Sequence, residues 1–415
     1  MKKIIIINHY GITPDLPGAT KHYDMAKHFS NKTEYAVEFW MCGYNHHTGE
    51  HHKNLKGFKI QSKERIENFD VVRIKSTPYR KSSLARQINI SIFDILTAIK
   101  IFFSKDVQAV VLSVPPISIF NTLATKMKKI KLIADVEDLW PLFLTEMGMN
   151  NKVASKYMTV CADYLYKVSD GIAAVSEGML NYVKNRSDRK EDSAWLAPLG
   201  VNIKEYSGKK TNIEVVKDSV WKEDFKIMYV GAHGKANDLS SILETVKIMN
   251  SYNGELTCKR KKISFIFIGD GDQRTELVKL KEKYKLNNVY FEKAIPGNQV
   301  ADYLLHADIC LTNLKKIESF KLVRPNKLFQ YMALKKPIVS GIWGEAKNIV
   351  EGANSGKYID FTVPEVAAEA LIKFISSDNL IEYGNNGRSY VEKHGNRDMI
   401  FEDYYNKIVK IIKSN

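Results

Sequence analysis

Short apolar runs of about four to six residues recur along the chain, separated by stretches of helical length. Ile4 to Ile7 form the first, Ala109 to Val114 and Lys131 to Val136 follow, and Gly171 to Val175 continues the series. Their apolar character is continuous rather than alternating, which predicts strands buried on both faces, as parallel sheets covered by helices require. Leu84 to Phe103, Ile117 to Lys128 and Lys152 to Val168 have helical length and period between them. Strands and helices alternating in this way predict a doubly wound α/β domain.

The pattern then starts again. Phe225 to Val230 is a strand running into Gly231, and a helix begins at Asp238 and reaches about Met249. Ile263 to Ile268, Asn288 to Phe291, Asp308 to Thr312 and Pro337 to Ser340 supply further strands. Two α/β units in series, each opening with a strand that enters a glycine-bearing loop, predict two Rossmann-like domains. The polar stretch Asn202 to Asp224 reads as the linker, dividing residues 1–203 from 204–395. The last helix, Met399 to Ile412 within residues 396–415, is placed to cross back onto the first domain. Open α/β sheets bind ligands at the carboxyl ends of their strands, so two such domains facing each other would enclose a cleft.

Composition narrows the choice of partner. The 415 residues carry 62 Lys+Arg and 47 Asp+Glu, a formal charge of +15, which implies attraction to an anionic substrate, lipid surface or nucleic acid. No zinc-finger spacing or aromatic-rich basic motif supports nucleic acid. Cys42, Cys161, Cys258 and Cys310 are far apart, against a stapled secreted fold or a zinc knuckle. The apolar start is too short for a signal peptide, and no run has the length of a membrane span, so a cytoplasmic chain, soluble or bound at a membrane surface, is expected. For that surface, Arg80, Lys81 and Arg86 precede an apolar stretch from Ile90 to Phe103, with Lys126, Lys128, Lys129 and Lys131 near in sequence. A basic start and an apolar helix suit an interfacial anchor, and a buried crossover helix fits the same positions.

Four stretches carry candidate chemistry. His9 to Lys21, with Tyr10, Gly11, Gly18 and Thr20, places two glycines and two prolines before a helix whose positive end favours an anion. The strand from Lys131 ends in Asp135-Val136-Glu137-Asp138-Leu139-Trp140-Pro141. Glu137 or Asp138 there could take a proton from an attacking hydroxyl, or one could cap the following helix. Gly269-Asp270-Gly271-Asp272 reads as a tight turn bringing backbone against a flat ligand better than as a metal site. Arg324-Pro325-Asn326-Lys327-Leu328-Phe329-Gln330 starts a helix at proline with two cations at its positive end, a setting for a diphosphate, and Gln330 one turn further in faces a sugar hydroxyl. His46-His47 and His51-His52 lie in a polar stretch, Asn45 to Asn54, that reads as a solvated loop, and Lys259 to Lys262 reads as an exposed loop.

Taken together, the His9-to-Lys21 loop, Asp138-Leu139-Trp140-Pro141 and Pro325-Asn326-Lys327-Leu328-Phe329-Gln330-Tyr331-Met332-Ala333 resemble the retaining glycosyltransferases of family 4. The nearest likeness within that family is to bacterial surface-polysaccharide transferases of the L-fucosamine transferase type. The resemblance implies the GT-B fold: α/β, two Rossmann-like doubly wound domains facing across a cleft. It also implies metal-independent transfer from a nucleotide sugar, a UDP-sugar, to a polyprenyl-diphosphate-linked saccharide for capsule, O-antigen or exopolysaccharide, at the inner face of an anionic membrane. Carried over, Lys327 and Arg324 hold the donor diphosphate with Gly18 facing it, Asn326 and Gln330 belong to the donor set, and Gly269 to Gly271 lie by the nucleotide base. His233 and Lys235 complete the donor set; His9, Tyr10 and Thr20 meet the acceptor, and Glu137 or Asp138 the reacting groups. Two departures stand out: Leu322 and Gln330 occupy the positions of a usual glutamate pair, and Gly231 to Lys235 lacks the usual arginine. A sugar-nucleotide 2-epimerase or a non-catalytic partner subunit of the same fold are the alternatives.

Overall fold

The computed structural model describes residues 1–16, 18–45, 48–55, 57, 59–79, 83–148, 151–187, 193–206, 224–253, 257–258 and 261–414. His46, His47, Arg80, Lys81, Lys259, Arg260 and most of the expected linker (207–223) lie outside the described residues. The chain divides into two compact units: Met1–Pro198 with Asp398–Asn415, and Leu199–Arg397.

The first unit is built on an eight-stranded sheet. Its strands are β1 (Lys3–Asn8), β2 (Ala36–Cys42), β5 (Gln61–Ile66), β6 (Phe69–Ile74), β7 (Val107–Val114), β8 (Lys131–Val136), β9 (Gly171–Ala174) and β10 (Ala194–Leu196). A small separate hairpin pairs β3 (Tyr44–Asn45) with β4 (Glu50–His51), so His51 belongs to a strand rather than to a solvated loop. The order is β10-β9-β8-β7-β1-β2-β6-β5, parallel except for β5, which turns back along β6. Strand order reverses at β1 and β7, which makes their carboxyl ends the switch point where α/β sheets take ligands. Ile4 and Ile6 on one face pack with Phe29 of α1 (Lys21–Ser30) and with Phe401, Tyr404 and Ile408 of the last helix, Arg397–Lys413. The other face carries α2 (Ser83–Phe103), α3 (Ile119–Met127) and α5 (Lys152–Val168), because successive right-handed crossovers progress the same way from β6 to β9. The short α4 (Leu142–Glu146) follows β8, and α6 (Glu177–Ser187) follows β9.

The second unit has seven strands: β11 (Phe225–Val230), β12 (Thr257–Cys258), β13 (Lys261–Ile268), β14 (Val289–Glu292), β15 (Ile309–Thr312), β16 (Ile338–Ser340) and β17 (Gly356–Tyr358). All run parallel but β12, and β11 lies between β13 and β15, so the switch point falls at the end of β11. Side chains alternate as a pleat requires: Ile227 and Tyr229 join the core beneath helices Leu239–Asn253 and Pro364–Ile375, while Met228 joins the one beneath Asn326–Ala333 and Glu345–Gly352.

Candidate active site

In the second unit the site is assembled where β11 and β13 end. Gly231 and Gly269 both have φ near +150° (152° and 153°), a region that residues with a Cβ rarely enter. A Cβ on Gly269 would run into the Gly231 carbonyl, and one on Gly231 would stand 2.7 Å from Lys327 Nζ. The glycines therefore create a notch, and the Lys327 ammonium occupies it. That ammonium donates to Tyr229 Oη at 3.1 Å and sits 4.1 Å from the centre of the Tyr229 ring. Among the described residues it has no carboxylate partner, and desolvation pulls its pKa from 10.5 to about 7. Lys327 lies in the first turn of Asn326–Ala333, and Pro325 at the N-cap position leaves that helix start without a side-chain cap. The carbonyl oxygen of Asn326, Oδ1, is buried there without a partner.

His233 completes this cluster. It is fully buried, its two ring nitrogens have no hydrogen-bond partner, and Gly271 leaves room for its backbone. Burial, with the nearby charge of Arg274, lowers its pKa to about 4, so the ring is neutral at physiological pH.

The remaining residues expected on the donor side are placed differently. Arg324 turns to Glu345, Nη2 to Oε1 at 3.2 Å, so its charge is already compensated. Gln330 donates its amide to Tyr206 Oη at 2.8 Å, leaving its carbonyl oxygen as the group to receive a hydroxyl. Lys235 stands exposed on a single 3-10 turn.

In the first unit a buried polar chain crosses the switch point. Asn8 Nδ2 donates to His22 Nδ1 (2.9 Å), and His22 Nε2 donates in turn to Asp135 Oδ2 (2.8 Å). Lys21 Nζ reaches the same Asp135 oxygen at 2.7 Å and Glu137 Oε1 at 3.4 Å. Burial opposes charge on both members of the Lys21–Asp135 pair, yet each holds the other ionised: the lysine pKa rises and the carboxyl pKa falls. His22, Asp135 and Glu137 are close enough to hold a metal ion, but Lys21 already brings a cation to two of the three carboxylate and imidazole groups. Asp138, one residue beyond Glu137, is pushed up to about 7 by burial and by the Glu137 charge. Neither carboxylate caps α4, whose N-cap position is Pro141.

His9 follows β1 and is buried, with Nε2 2.7 Å from Asn89 Oδ1 of α2 and Nδ1 unpaired. Burial lowers its pKa to about 4. The Tyr10 ring stands edge-on to it at 4.5 Å. His9, Thr13, Tyr44, His51 and Arg73 line a cavity of about 320 Å³. Gly18 is exposed with φ 129°, and the Thr20 hydroxyl is spent on Asp24 at 2.8 Å.

Residues 212–390 match the family described as Glycosyl transferases group 1. The chain is a glycosyltransferase. This glycosyltransferase is 24% identical over 414 residues to an uncharacterized glycosyltransferase of Methanocaldococcus jannaschii, covering 97% of each chain. In fold it is similar to sucrose-phosphate synthase from Thermosynechococcus elongatus, with TM-score 0.75 and 14% identity over the whole of both chains. It is also similar to Anabaena HepE solved with UDP-glucose, with TM-score 0.70 and 12% identity over 99% of this chain and 100% of that one. The fold of the glycosyltransferase is therefore GT-B.

Sequence reasoning about the glycosyltransferase missed the part played by Tyr229, Glu345, Tyr206 and the Asn8–His22–Asp135–Lys21 chain. One signal was available: Asp135 is a lone carboxylate inside an apolar strand, and such a group demands a buried cation. Tyr229 carried no signal, since an aromatic residue near the end of a buried strand is ordinary core.

Proposed function

We propose that the chain transfers a sugar, with retention, from a UDP-sugar to a lipid-linked saccharide at the inner face of the cell membrane. The second unit takes the donor and the first the acceptor. One observation carries this reading: the Lys327 ammonium, held in a glycine notch at an uncapped helix start, has no anion of its own. A diphosphate placed there gains the cation and the helix amides together. As the glycosidic bond breaks, negative charge grows on the leaving phosphate, and these preorganised groups stabilise it. The Asn326 carbonyl oxygen and Gln330 Oε1 are acceptors for donor hydroxyls, and Gly269, Gly271 and neutral His233 form the wall beside the base.

In the first unit, the His9 cavity is within the size range of small-molecule sites and supports an acceptor sugar there. Asp138, with a pKa near neutrality, suits a group that takes and returns a proton, and Glu137 stands beside it, 3.4 Å from Lys21. The Asp138-Leu139-Trp140-Pro141 strand end supports a surface-polysaccharide transferase of the L-fucosamine type. The test is thermal stability with UDP, GDP or ADP, with and without magnesium. UDP alone, with or without the metal, should raise the melting temperature by mass action. A shift with GDP only would replace the donor, and no shift with any nucleotide would refute the donor site.

A further inference from the structure

The described residues expose twenty large apolar side chains, and thirteen of them lie on α2, α3 and α5. These helices hold only 47 residues of the chain. On α2 the exposed set includes Ile95, Ile99, Phe102 and Phe103, at one-turn spacing, while Phe93 and Ile101 face the sheet. Thus α2 is a crossover helix with an apolar inner side and an apolar outer side. On α3, Phe120, Leu123 and Met127 repeat the pattern, and on α5 Val153, Tyr157 and Val160 do so again. The three stripes belong to one layer, because α2 packs along α3 and α3 against α5. A buried seam fixes the first pair: Asp94 of α2 accepts from the amides of Phe120 and Asn121, both at 3.0 Å, and Asn121 Nδ2 donates to Thr97 Oγ1 at 2.8 Å.

Cations outnumber carboxylates on this layer. The three helices contain six cations, Arg86, Lys100, Lys126, Lys152, Lys156 and Lys167, against two carboxylates; Lys126 is paired with Asp170 at 2.9 Å and Lys100 lies over the Trp40 ring at 5.1 Å, while Lys152 and Lys156 are exposed beside the α5 stripe. Asp94 is turned inward and Asp163 accepts from Nε and Nη2 of Arg186, both at 2.5 Å. Lys128, just past α3, lies 5.8 Å from the centre of the Phe102 ring. Among the described residues no helix is long and apolar enough to cross a membrane.

We propose that the outer face of α2, α3 and α5 seats on an anionic lipid bilayer. A wide apolar face marks a surface that is covered in use, and aromatic residues among lysines suit the headgroup boundary. A second copy of the chain fits less well, since a two-fold contact through this face would bring its lysines against each other. The docked helix α2 also runs to the acceptor end, where Asn89 meets His9 at 2.7 Å. The inference deepens the lipid-linked acceptor reading and rests on it for purpose, but its test uses neither donor nor acceptor.

The full chain is sedimented with vesicles of phosphatidylcholine alone and of equal parts phosphatidylcholine and phosphatidylglycerol. Binding to the mixed vesicles is expected, with about a fivefold loss of partition for each of Lys152→Glu and Lys156→Glu. The triple variant Phe102→Ser, Phe103→Ser, Val160→Ser should lose at least about tenfold, with an unchanged melting temperature because all three side chains are exposed. UDP-induced stabilisation of that variant should be intact, which separates failure of the docking face from failure of the donor site. No binding to anionic vesicles overturns the proposal. So does full binding by the triple variant, or a dimer in sedimentation velocity that the triple variant abolishes.

Discussion

On the proposed donor site, Lys327 should make nucleotide binding a proton-uptake reaction. Its free pKa of about 7 arises from desolvation alone, and the incoming diphosphate supplies the anion that restores the ammonium. At pH 8 about nine-tenths of the free lysine is neutral, and at pH 6 about one-tenth, so binding should take up about 0.9 and about 0.1 proton respectively. Because the pKa is lowered in the free protein and raised in the complex, affinity is full below pH 7 and is lost as pH rises. The apparent Kd should worsen about tenfold from pH 6 to pH 8, which is about 1.4 kcal/mol. UDP-glucose is the suitable probe, since its diphosphate diester does not titrate in this window. Calorimetry in phosphate and in Tris at each pH reads the uptake from the difference in heat. His233, at about 4, stays neutral throughout and does not contribute. Equal heats in the two buffers at pH 8, with affinity retained, would refute the assignment of Lys327 to the diphosphate.

Lys327→Met should raise the melting temperature of the ligand-free protein by about 2–4 °C, because it removes a desolvated ammonium, while lowering kcat/KM about 10- to 100-fold; scanning calorimetry and a transfer assay check the pair. Asp135→Asn should destabilise the first unit by about 3–5 kcal/mol in denaturant unfolding, since Lys21 would keep its burial and lose its nearest counter-charge. Asp138 is held up to about 7, so it is protonated below that value, while Lys327 loses its proton above it; kcat/KM should pass through a maximum near pH 7 in the wild type and lose the acid limb in Asp138→Asn. A pH profile unchanged in the variant would remove Asp138 from the proton path.

Much of the fold was legible because the strands are buried on both faces. Lys131–Val136 and Phe225–Val230 stand out as apolar blocks, and the helices Lys152–Val168 and Lys21–Ser30 begin where polar loops end. The β5–β6 hairpin was hidden because Gln61–Ile66 is an edge strand of mostly polar, exposed residues, which lacks that signal. At the site, the Pro325-Asn326-Lys327 helix start was legible as a local anion setting. What Lys327 and Arg324 do there depends on long-range neighbours: Tyr229 is 98 positions away, and Glu345 takes up Arg324 from the start of another helix. The exposed apolar face of α2 was half legible, since periodicity marks both apolar sides of that helix without saying which one a sheet covers.

The return of the last helix to the first unit has a consequence for synthesis. Phe401, Tyr404 and Ile408 belong to the core that holds Phe29 and Trp195, with Tyr405 5.3 Å from Phe29 and Tyr404 5.3 Å from Trp195. The second unit is thus an insertion, and its two ends meet where Val201 N donates to Gly395 O at 2.8 Å. A ribosome delivers every residue of the second unit before it delivers the helix that closes the first. The first unit begins first and closes last, and until the last helix emerges α1 alone covers the sheet face that Phe401, Tyr404 and Ile408 complete. Truncation at Pro198 would make that waiting state permanent, whereas residues 199–397 form a unit with adjacent ends.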